Sequence, residues 1–330
     1  MPAPTRFLSC DWGTSSFRLK LVELPGLRVL AQAESDEGNA ATFAAWQQSG
    51  QPAGQRVAFY QGILTKHLRT LEQQQGTSLH DVPLVVSGMA SSTIGMRELP
   101  YKPLPFATDG SDLTTQLFAP SAAFPYSLLL ISGVKTADDV MRGEEVQLVG
   151  CHFATSDQEQ LFLHPGTHCK HVRVRGGQAV ALETYMTGEF FALLSSKSIL
   201  AASVKAGGEL STGAHRQAFE RGVRDSTQAN LLHNAFRVRT NDLFDKLSKP
   251  ANSYYLSGIL IGAELSTFPA DYAGHIVVAG EPHLLEHYAA ALELLGISAR
   301  AASVTLKGAE EVTLRGQAAV LAHAWPTHQP

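Results

Sequence analysis

The sequence is poor in cysteine: Cys10, Cys151 and Cys169 are the three in 330 residues, far apart and in no CxxC pair. That count argues against a disulfide framework and fits a reducing compartment. Charge of one sign is also lacking. The formal net charge is -4, with no long basic run, so no nucleic-acid footprint is expected. An anionic ligand has to be held by a few local cations and backbone amides. The longest apolar run, SLLLISGV, is too short to span a bilayer. The start, MPAPTRFLSCDWG, has no apolar stretch of the secretory kind, and no low-complexity linker interrupts the chain. What is there is 44% hydrophobic and 17% charged, enough for a sizeable core. The expectation is a soluble, cytoplasmic globular protein with neither nucleic acid nor membrane as partner. Its length suits two domains of about 150 residues each.

The first readable element is RFLSCDWGTSSFRLKLVEL. Apolar residues alternate on both sides of the small turn Gly13-Thr14-Ser15-Ser16, which reads as strand, turn, strand. Pro25-Gly26 is a second turn and LRVLAQAE a third strand. From residue 161 the pattern returns in LFLHPGTHCKHVRVRGGQAVALET: a short strand, a Gly-Thr turn, an alternating strand, a Gly176-Gly177 turn and another strand. Gly13-Thr14 and Gly166-Thr167 hold matching places 153 residues apart, the mark of an internal duplication. Helices are expected after each unit. Val57, Tyr60, Leu64, Leu68 and Leu71 share one helix face. A strand, VPLVVSG, leads into a Gly-, Ser- and Pro-rich loop over 87–110, and a helix is expected from about Gly143. Further helical stretches fall near 186–200, 214–247 and 282–296, with the strand HIVVAGE between the last two, and a final helix begins at EEVTL.

A Gly-Thr-Ser turn between strands offers backbone N–H groups and hydroxyls at one point, a way of holding phosphate oxygens without many lysines. Two such turns facing one another across a cleft would grip one nucleotide from both sides. Thr14, Ser15, Gly13, Gly166 and Thr167 are therefore candidate phosphate ligands. Asp11, just ahead of the first turn, is placed to orient Mg²⁺ through water. Arg18, on the outgoing strand, either reaches the phosphates or pairs with an acid. HPGTHCKH also invites a metal reading through His164, His168, Cys169 and His171. Side chains alternate faces along a strand, so the four cannot all converge, and no zinc is expected. His168 reads instead as a turn donor to phosphate, and Lys170 as a phosphate cation or a solvated strand residue. Gly280, between a strand and a helix, suits close approach of an adenosine.

Together, DWGTSSFRL, DVMRGEEVQLVG, HPGTHCKHVRV, TYMTGEFFALL and YYLSGILIGAEL resemble the 2-dehydro-3-deoxygalactonokinase family of the sugar-kinase, Hsp70 and actin superfamily. The segments occur in that family's order and cover most of the chain. The resemblance implies an α/β fold of two duplicated ribonuclease-H-like (actin-like ATPase) domains around a cleft. It also implies phosphorylation of the terminal hydroxyl of 2-dehydro-3-deoxy-D-galactonate with ATP and Mg²⁺. The expected division is 1–155 plus about 311–330 for the first domain and 156–310 for the second.

By the same resemblance Asp139, opening DVMRGEE at the junction of a loop and a helix, is the catalytic base, with Asp138 as its rival and an N-cap as its ordinary role. Glu144 falls in the first helical turn, where the dipole favours a carboxylate anyway. The family's sugar-binding loop tends to read GM-x-GS-R-Q-GW-x-EAPY. Here it is GMASSTIGMRELPY, with Thr93, Ile94 and Met96 in the Arg, Gln and Trp places, while Glu98, Pro100 and Tyr101 match. Ser91, Ser92, Glu98 and Tyr101 are candidates to bind sugar hydroxyls, and Arg97 and Arg142 to bind the acid's carboxylate. Other readings are a kinase of another sugar or sugar acid, or an inactive nucleotide-binding regulator of the same fold. The partner is a small-molecule sugar acid, with room for a homo-oligomer.

Overall fold

A computed structural model describes residues 4–325. They fall into two compact units: residues up to Ser156 with Val174–Ala181 and everything from Ala309, and Asp157–Arg173 with Leu182–Gly308.

In the first unit β1 (Arg6–Trp12), β2 (Phe17–Glu23) and β3 (Arg28–Ser35) form an antiparallel meander. Then come α1 (Asn39–Gln48), α2 (Arg56–Gln75) and β4 (Leu84–Gly88). The loop after β4 carries β5 (Lys102–Pro103) and β6 (Phe106–Ala107), followed by β7 (Thr115–Phe118) and β8 (Leu128–Ile131). A hairpin of β9 (Val134–Lys135) and β10 (Val140–Met141) precedes α3 (Glu144–Gly150). The sheet order is β3-β2-β1-β4-β8-β7, with β4 parallel to both β1 and β8.

In the second unit β11 (Gln160–His164), β12 (Cys169–Arg175) and β13 (Gln178–Tyr185) repeat the meander. Four helices follow, α4 (Thr187–Lys197), α5 (Gly213–Ser226), α6 (Leu231–Leu243) and α7 (Lys249–Leu265). The unit ends with β14 (His275–Gly280), α8 (Pro282–Leu294), α9 (Ile297–Arg300) and β15 (Ser303–Gly308), and α10 (Ala309–Ala324) returns to the first unit. Its strands run β13-β12-β11-β14-β15, with β14 parallel to β11 and β15. This is the order β3-β2-β1-β4-β8 again. The duplication read from two Gly-Thr turns is thus a duplication of whole ribonuclease-H-like sheets.

Apolar periodicity explains the packing. Tyr60, Leu64, Leu68 and Leu71 of α2 are fully buried against Leu8, Cys10 and Trp12, each side chain contributing about 1.5–3 kcal/mol of transfer free energy. Gln317 of α10 reaches the same sheet, donating to Cys10 O (3.0 Å) and Ser87 Oγ (2.8 Å). In the second unit Phe219 and Val223 of α5 and Ile261 of α7 pack with Leu163, Ile276 and Val278 of the sheet. Among the described residues no helix is long and apolar enough to cross a membrane.

Several segments differ from the sequence reading. α1 was not anticipated, because NAATFAAWQQ has no clear apolar stripe, and β15 is too short and half-exposed to show one. The stretch 214–247 is two helices, since Asn230 starts a new one by accepting the His233 N–H (3.1 Å). Asp139 does not adjoin the helix. It lies in the β9–β10 turn, the residue before α3 is Gly143, and the N-cap role for Asp139 is ruled out.

α3 and α10 meet backbone to backbone. A methyl group at Gly316 would overlap Val146 O, and one at Gly150 would overlap Val312 O. Helix propensity alone favours Ala over Gly by about 1 kcal/mol. Overpacking opposes this, so Gly316→Ala is expected to lower stability by roughly 1–3 kcal/mol, read as a drop in the denaturation midpoint. An unchanged or raised midpoint would show that these helices do not touch this closely.

Candidate functional site

The first turn is gripped from behind. Gly13 N donates to Ser16 O (2.9 Å), closing the turn between β1 and β2. After β3 the chain returns, and Gly38 comes so near that a Cβ there would lie 2.5 Å from Thr14 O. Asn39 N then donates to Gly13 O (2.9 Å), Ala40 N to Thr14 O (3.0 Å) and Asn39 Nδ2 to Trp12 O (2.8 Å). The free N–H groups at the start of α1 are thus satisfied by the turn's carbonyls. Thr14 and Ser15 remain exposed. Gly38 and the fully buried Asn39 escaped the sequence reading; their signal was a Gly-Asn pair opening an Ala-rich stretch.

The second turn is held the same way. A methyl group at Gly188, near the start of α4, would overlap Gly166 O, and Glu189 N donates to Thr167 O (3.0 Å). Below it Cys169 Sγ lies 3.4 Å from both Gly166 N and Gly166 O and 3.0 Å from Tyr288 Oη. Tyr288 donates to Glu264 Oε2 (2.6 Å), as does Thr187, and His171 Nε2 sits 2.8 Å from Glu264 Oε1. Burial and the nearby Glu264 push the Cys169 thiol up to about 12, so it stays protonated.

The remaining residues of HPGTHCKH go elsewhere. His168 pairs with Glu189 at the surface (2.5 Å), and the buried Lys170 donates to Thr184 Oγ1 (2.8 Å). Lys170 is therefore not a solvated residue. Among the described residues no cluster of three or more His, Cys, Asp or Glu could hold a metal ion.

In the first unit Asp11 and Arg18 are cross-strand partners, with Arg18 Nη1 3.3 Å from Asp11 Oδ2. Burial raises the Asp11 pKa, Arg18 opposes this, and the charge of Glu144 raises it further. Gly88, with φ at +85°, ends β4 beside Asp11. A Cβ there would sit 2.8 Å from Trp12 O and 3.4 Å from Asp11 Oδ1. Gly143, with φ at +112°, lies in ordinary contact with Gly88, a Cβ there being 3.5 Å from Gly88 Cα. Both positions need glycine's tolerance of positive φ. Glu144, the residue after Gly143, is near enough for its charge to act on Asp11.

Arg142 Nη1 donates to Ser91 O (2.7 Å) and to Ser91 Oγ, and its guanidinium lies 4.2 Å from the Tyr101 ring centre. Of the proposed sugar contacts, then, Ser91, Tyr101 and Arg142 are assembled. Ser92 turns its hydroxyl to Met89 O (2.7 Å), while Arg97 and Glu98 are exposed. Met96 is a core residue, and the carbonyls of Thr93 and Ile94 accept from Arg56 (3.0 Å) and Tyr60 (2.5 Å). Asp138 and Asp139 both donate their N–H to Thr136 Oγ1, and Asp139 Oδ1 accepts from Val140 N (2.7 Å).

The second unit contains a cavity of about 770 Å³, whose lining includes Gly166, Thr187, Gly207, Gly208, Tyr254 and His287. That is within the size range of small-molecule pockets. Tyr254 stacks between His215 (4.6 Å) and His287 (5.7 Å) and donates to Gly208 O (2.8 Å). Burial lowers the His287 pKa, favouring the neutral ring. Gly280 is in contact with Pro165 at ordinary distance, a Cβ there being 3.5 Å from Pro165 Cδ. It is the Gly207-Gly208 pair, unnoticed in the sequence, that borders the cavity.

Comparison with known proteins identifies the family. The sequence model of the 2-keto-3-deoxy-galactonokinase family matches residues 11–320. The 2-dehydro-3-deoxygalactonokinase of Escherichia coli (strain K12) is 33% identical over 223 residues, 65% of this chain and 71% of that protein. A Rhizobium meliloti (strain 1021) protein named as a probable 2-dehydro-3-deoxygalactonokinase is 30% identical over 332 residues, covering 97% of this chain and 98% of its own. A crystal structure carrying the same enzyme name, from Sinorhizobium meliloti, matches with a TM-score of 0.77 and 26% identity over 98% of both chains.

Glu145 is fully buried in the first turn of α3. Its Oε2 accepts from Gly143 N (2.7 Å), and its Oε1 has no partner among the described residues. Burial, then the charge of Glu144, pushes its pKa up to about 8 from an ordinary 4.5. The folded chain thus keeps a proton that the unfolded chain releases at lower pH. Folding takes up that proton across this window, so this group's contribution to stability falls as pH rises from about 4.5 through about 8. Glu145→Gln should flatten the decline in melting temperature over that range and raise the value at pH 8 by roughly a few degrees. A wild-type and a variant curve that fall in parallel would show that Glu145 titrates normally.

Proposed function

The chain belongs to the 2-keto-3-deoxy-galactonokinase family and is a carbohydrate kinase, and from that premise we propose that it transfers the γ-phosphoryl group of ATP to the terminal hydroxyl of 2-dehydro-3-deoxy-D-galactonate, giving the 6-phosphate. The observation that carries this reading is the contact of Gly88 with Gly143, which sets Glu144 where its charge acts on Asp11, next to the Gly13–Ser16 turn. Residues 1–155 with about 311–330 supply the acceptor side, and 156–310 the nucleotide side. The Gly166-Thr167 turn holds phosphate, and the cavity beside it, bordered by Gly207 and Gly208, takes the nucleoside.

The acceptor oxygen attacks the γ-phosphorus in line, the bond to the β–γ bridging oxygen breaks, and ADP leaves with its electron pair. The hydroxyl proton passes to a carboxylate. Asp139 is that base. The hydroxyls of Thr14 and Ser15 and the amides of the first turn contact the transferred group. The residues also fit Mg²⁺: Asp11 and Glu144 are two carboxylates close enough that one disfavours ionisation of the other, a strain that a hard divalent cation relieves. Asp11 would hold it, through water, and Mg²⁺ when bound supplies neutralisation of phosphate charge.

A second reading of the base rests on that same electrostatic coupling. Glu144 acts on Asp11 directly, whereas Asp139 sits in a hairpin turn using one oxygen to accept from Val140 N. An ADP-release assay over 2-keto-3-deoxy acids and plain hexoses, run on Asp139→Asn, Asp138→Asn and Glu144→Gln, separates the two. Asp139→Asn is expected to lower kcat by roughly a hundredfold or more with the KM for ATP little changed, and Asp138→Asn to be mild. A mild Asp139→Asn with a severe Glu144→Gln assigns the base to Glu144. Hexoses turned over as well as the acids would sink the substrate assignment.

A further inference from the structure

Arg142 is half-buried, yet its described contacts are to neutral groups. Nη1 donates to Ser91 O and Ser91 Oγ, the guanidinium lies over the ring of Tyr101, and Nε is buried with no partner. Among the described residues no carboxylate lies within ion-pair reach of it. Of the other partly buried arginines, Arg239 and Arg237 are neutralised by Asp242 (3.1 Å) and Asp225 (3.0 Å). Arg56 and Arg300 donate to the carbonyls of Thr93 and Leu295 rather than to Ser91 and the Tyr101 ring, which close around Arg142. Glu144, two residues away, spends Oε2 on the backbone N–H of Arg142 and leaves the guanidinium alone (2.9 Å).

The side chain is also held in place before any ligand arrives. Gly133 lets Tyr101 and Arg142 close up, since a Cβ there would lie 3.0 Å from Tyr101 Cε1 and 3.1 Å from Arg142 Cβ. A planar cation stacked on an aromatic face, anchored at one nitrogen and with no ion-pair partner among the described residues, matches the two oxygens of a carboxylate. Arg97, the other arginine of this region, is exposed on its loop with no such support. We infer that Arg142, backed by Tyr101 and Ser91, is the residue that binds the carboxylate of the acceptor and sets the preference for a sugar acid over a neutral sugar. This rests on the sugar-acid kinase reading above.

The test compares kcat/KM for 2-dehydro-3-deoxy-D-galactonate and for its neutral carboxamide, in the unmutated protein and in Arg142→Ala, Arg142→Lys and Arg97→Ala. The unmutated protein should prefer the acid by roughly thirtyfold or more, because the amide leaves the half-buried guanidinium unpaired. Arg142→Ala should erase most of that ratio. Arg142→Lys keeps the charge but loses the fork, so it should retain only part of the ratio, and it serves if the alanine variant does not fold. Arg97→Ala should keep the ratio. The inference is overturned if Arg142→Ala and Arg142→Lys slow acid and amide equally, which would assign Arg142 to the phosphoryl group, or if Arg97→Ala is the change that erases the ratio. No preference for the acid in the unmutated protein would instead overturn the sugar-acid reading itself.

Discussion

Backbone touching backbone through glycine is the constraint on which both candidate half-sites depend. Gly38 lies against Thr14 and Ser15, Gly188 against Gly166 and Thr167. In each case the helix after the third strand then donates a backbone N–H to a carbonyl of the turn, from Asn39 in one unit and Glu189 in the other. A side chain at either glycine would push the helix away and leave buried carbonyls and helix N–H groups unpaired, at about 1–3 kcal/mol each. The duplication is therefore deeper than a repeated sheet: the device that rigidifies the phosphate-type turn is repeated as well.

The same economy of contact assembles the rest of the first unit's site. Gly88 and Gly143, both at positive φ, lie where two loops meet, and a Cβ at Gly88 would press on Trp12 O. The meeting concentrates charge: Asp11 and Glu144 repel, Arg18 compensates in part, and Glu145 is driven toward its neutral form. Such clustering of perturbed carboxylates is costly for stability and is characteristic of sites built for chemistry. The second unit solves a different problem. Its Glu264 is buried with Tyr288, Thr187 and His171 as partners. That network, with Cys169 at its edge, supports the turn from the core while leaving a roomy apolar cavity beside it.

Much of this was legible in the chain itself. The alternation around Gly13-Thr14 and Gly166-Thr167 was enough to read two strand–turn–strand units, because period-two patterning follows directly from side chains alternating across a half-buried sheet. The helix face of Tyr60, Leu64, Leu68 and Leu71 was readable for the analogous reason at period 3.6. The motifs HPGTHCKH and MRGEE placed the chain in its family before any coordinates. Strand geometry also separates His168, paired with Glu189, from Cys169 and His171, which lie two apart on β12 and share the Glu264 network.

What the sequence could not decide were matters of long-range contact. α1 lacks an apolar stripe, and its role lies in backbone hydrogen bonds to a turn 26 residues earlier. Nothing local distinguishes Arg142 from Arg97, which are both arginines near small residues. The difference is that Ser91 and Tyr101, from 51 and 41 positions away in the chain, close around one and not the other. Likewise the cavity's Gly207-Gly208 border depends on α7 and α8 packing beside a loop that reads as an ordinary linker. Periodicity and turn chemistry are properties of neighbours along the chain, so the sequence determined the elements and the pair of phosphate-type turns. Burial, charge coupling and close glycine contact are properties of neighbours in space, so only the tertiary structure decided which side chains share a site.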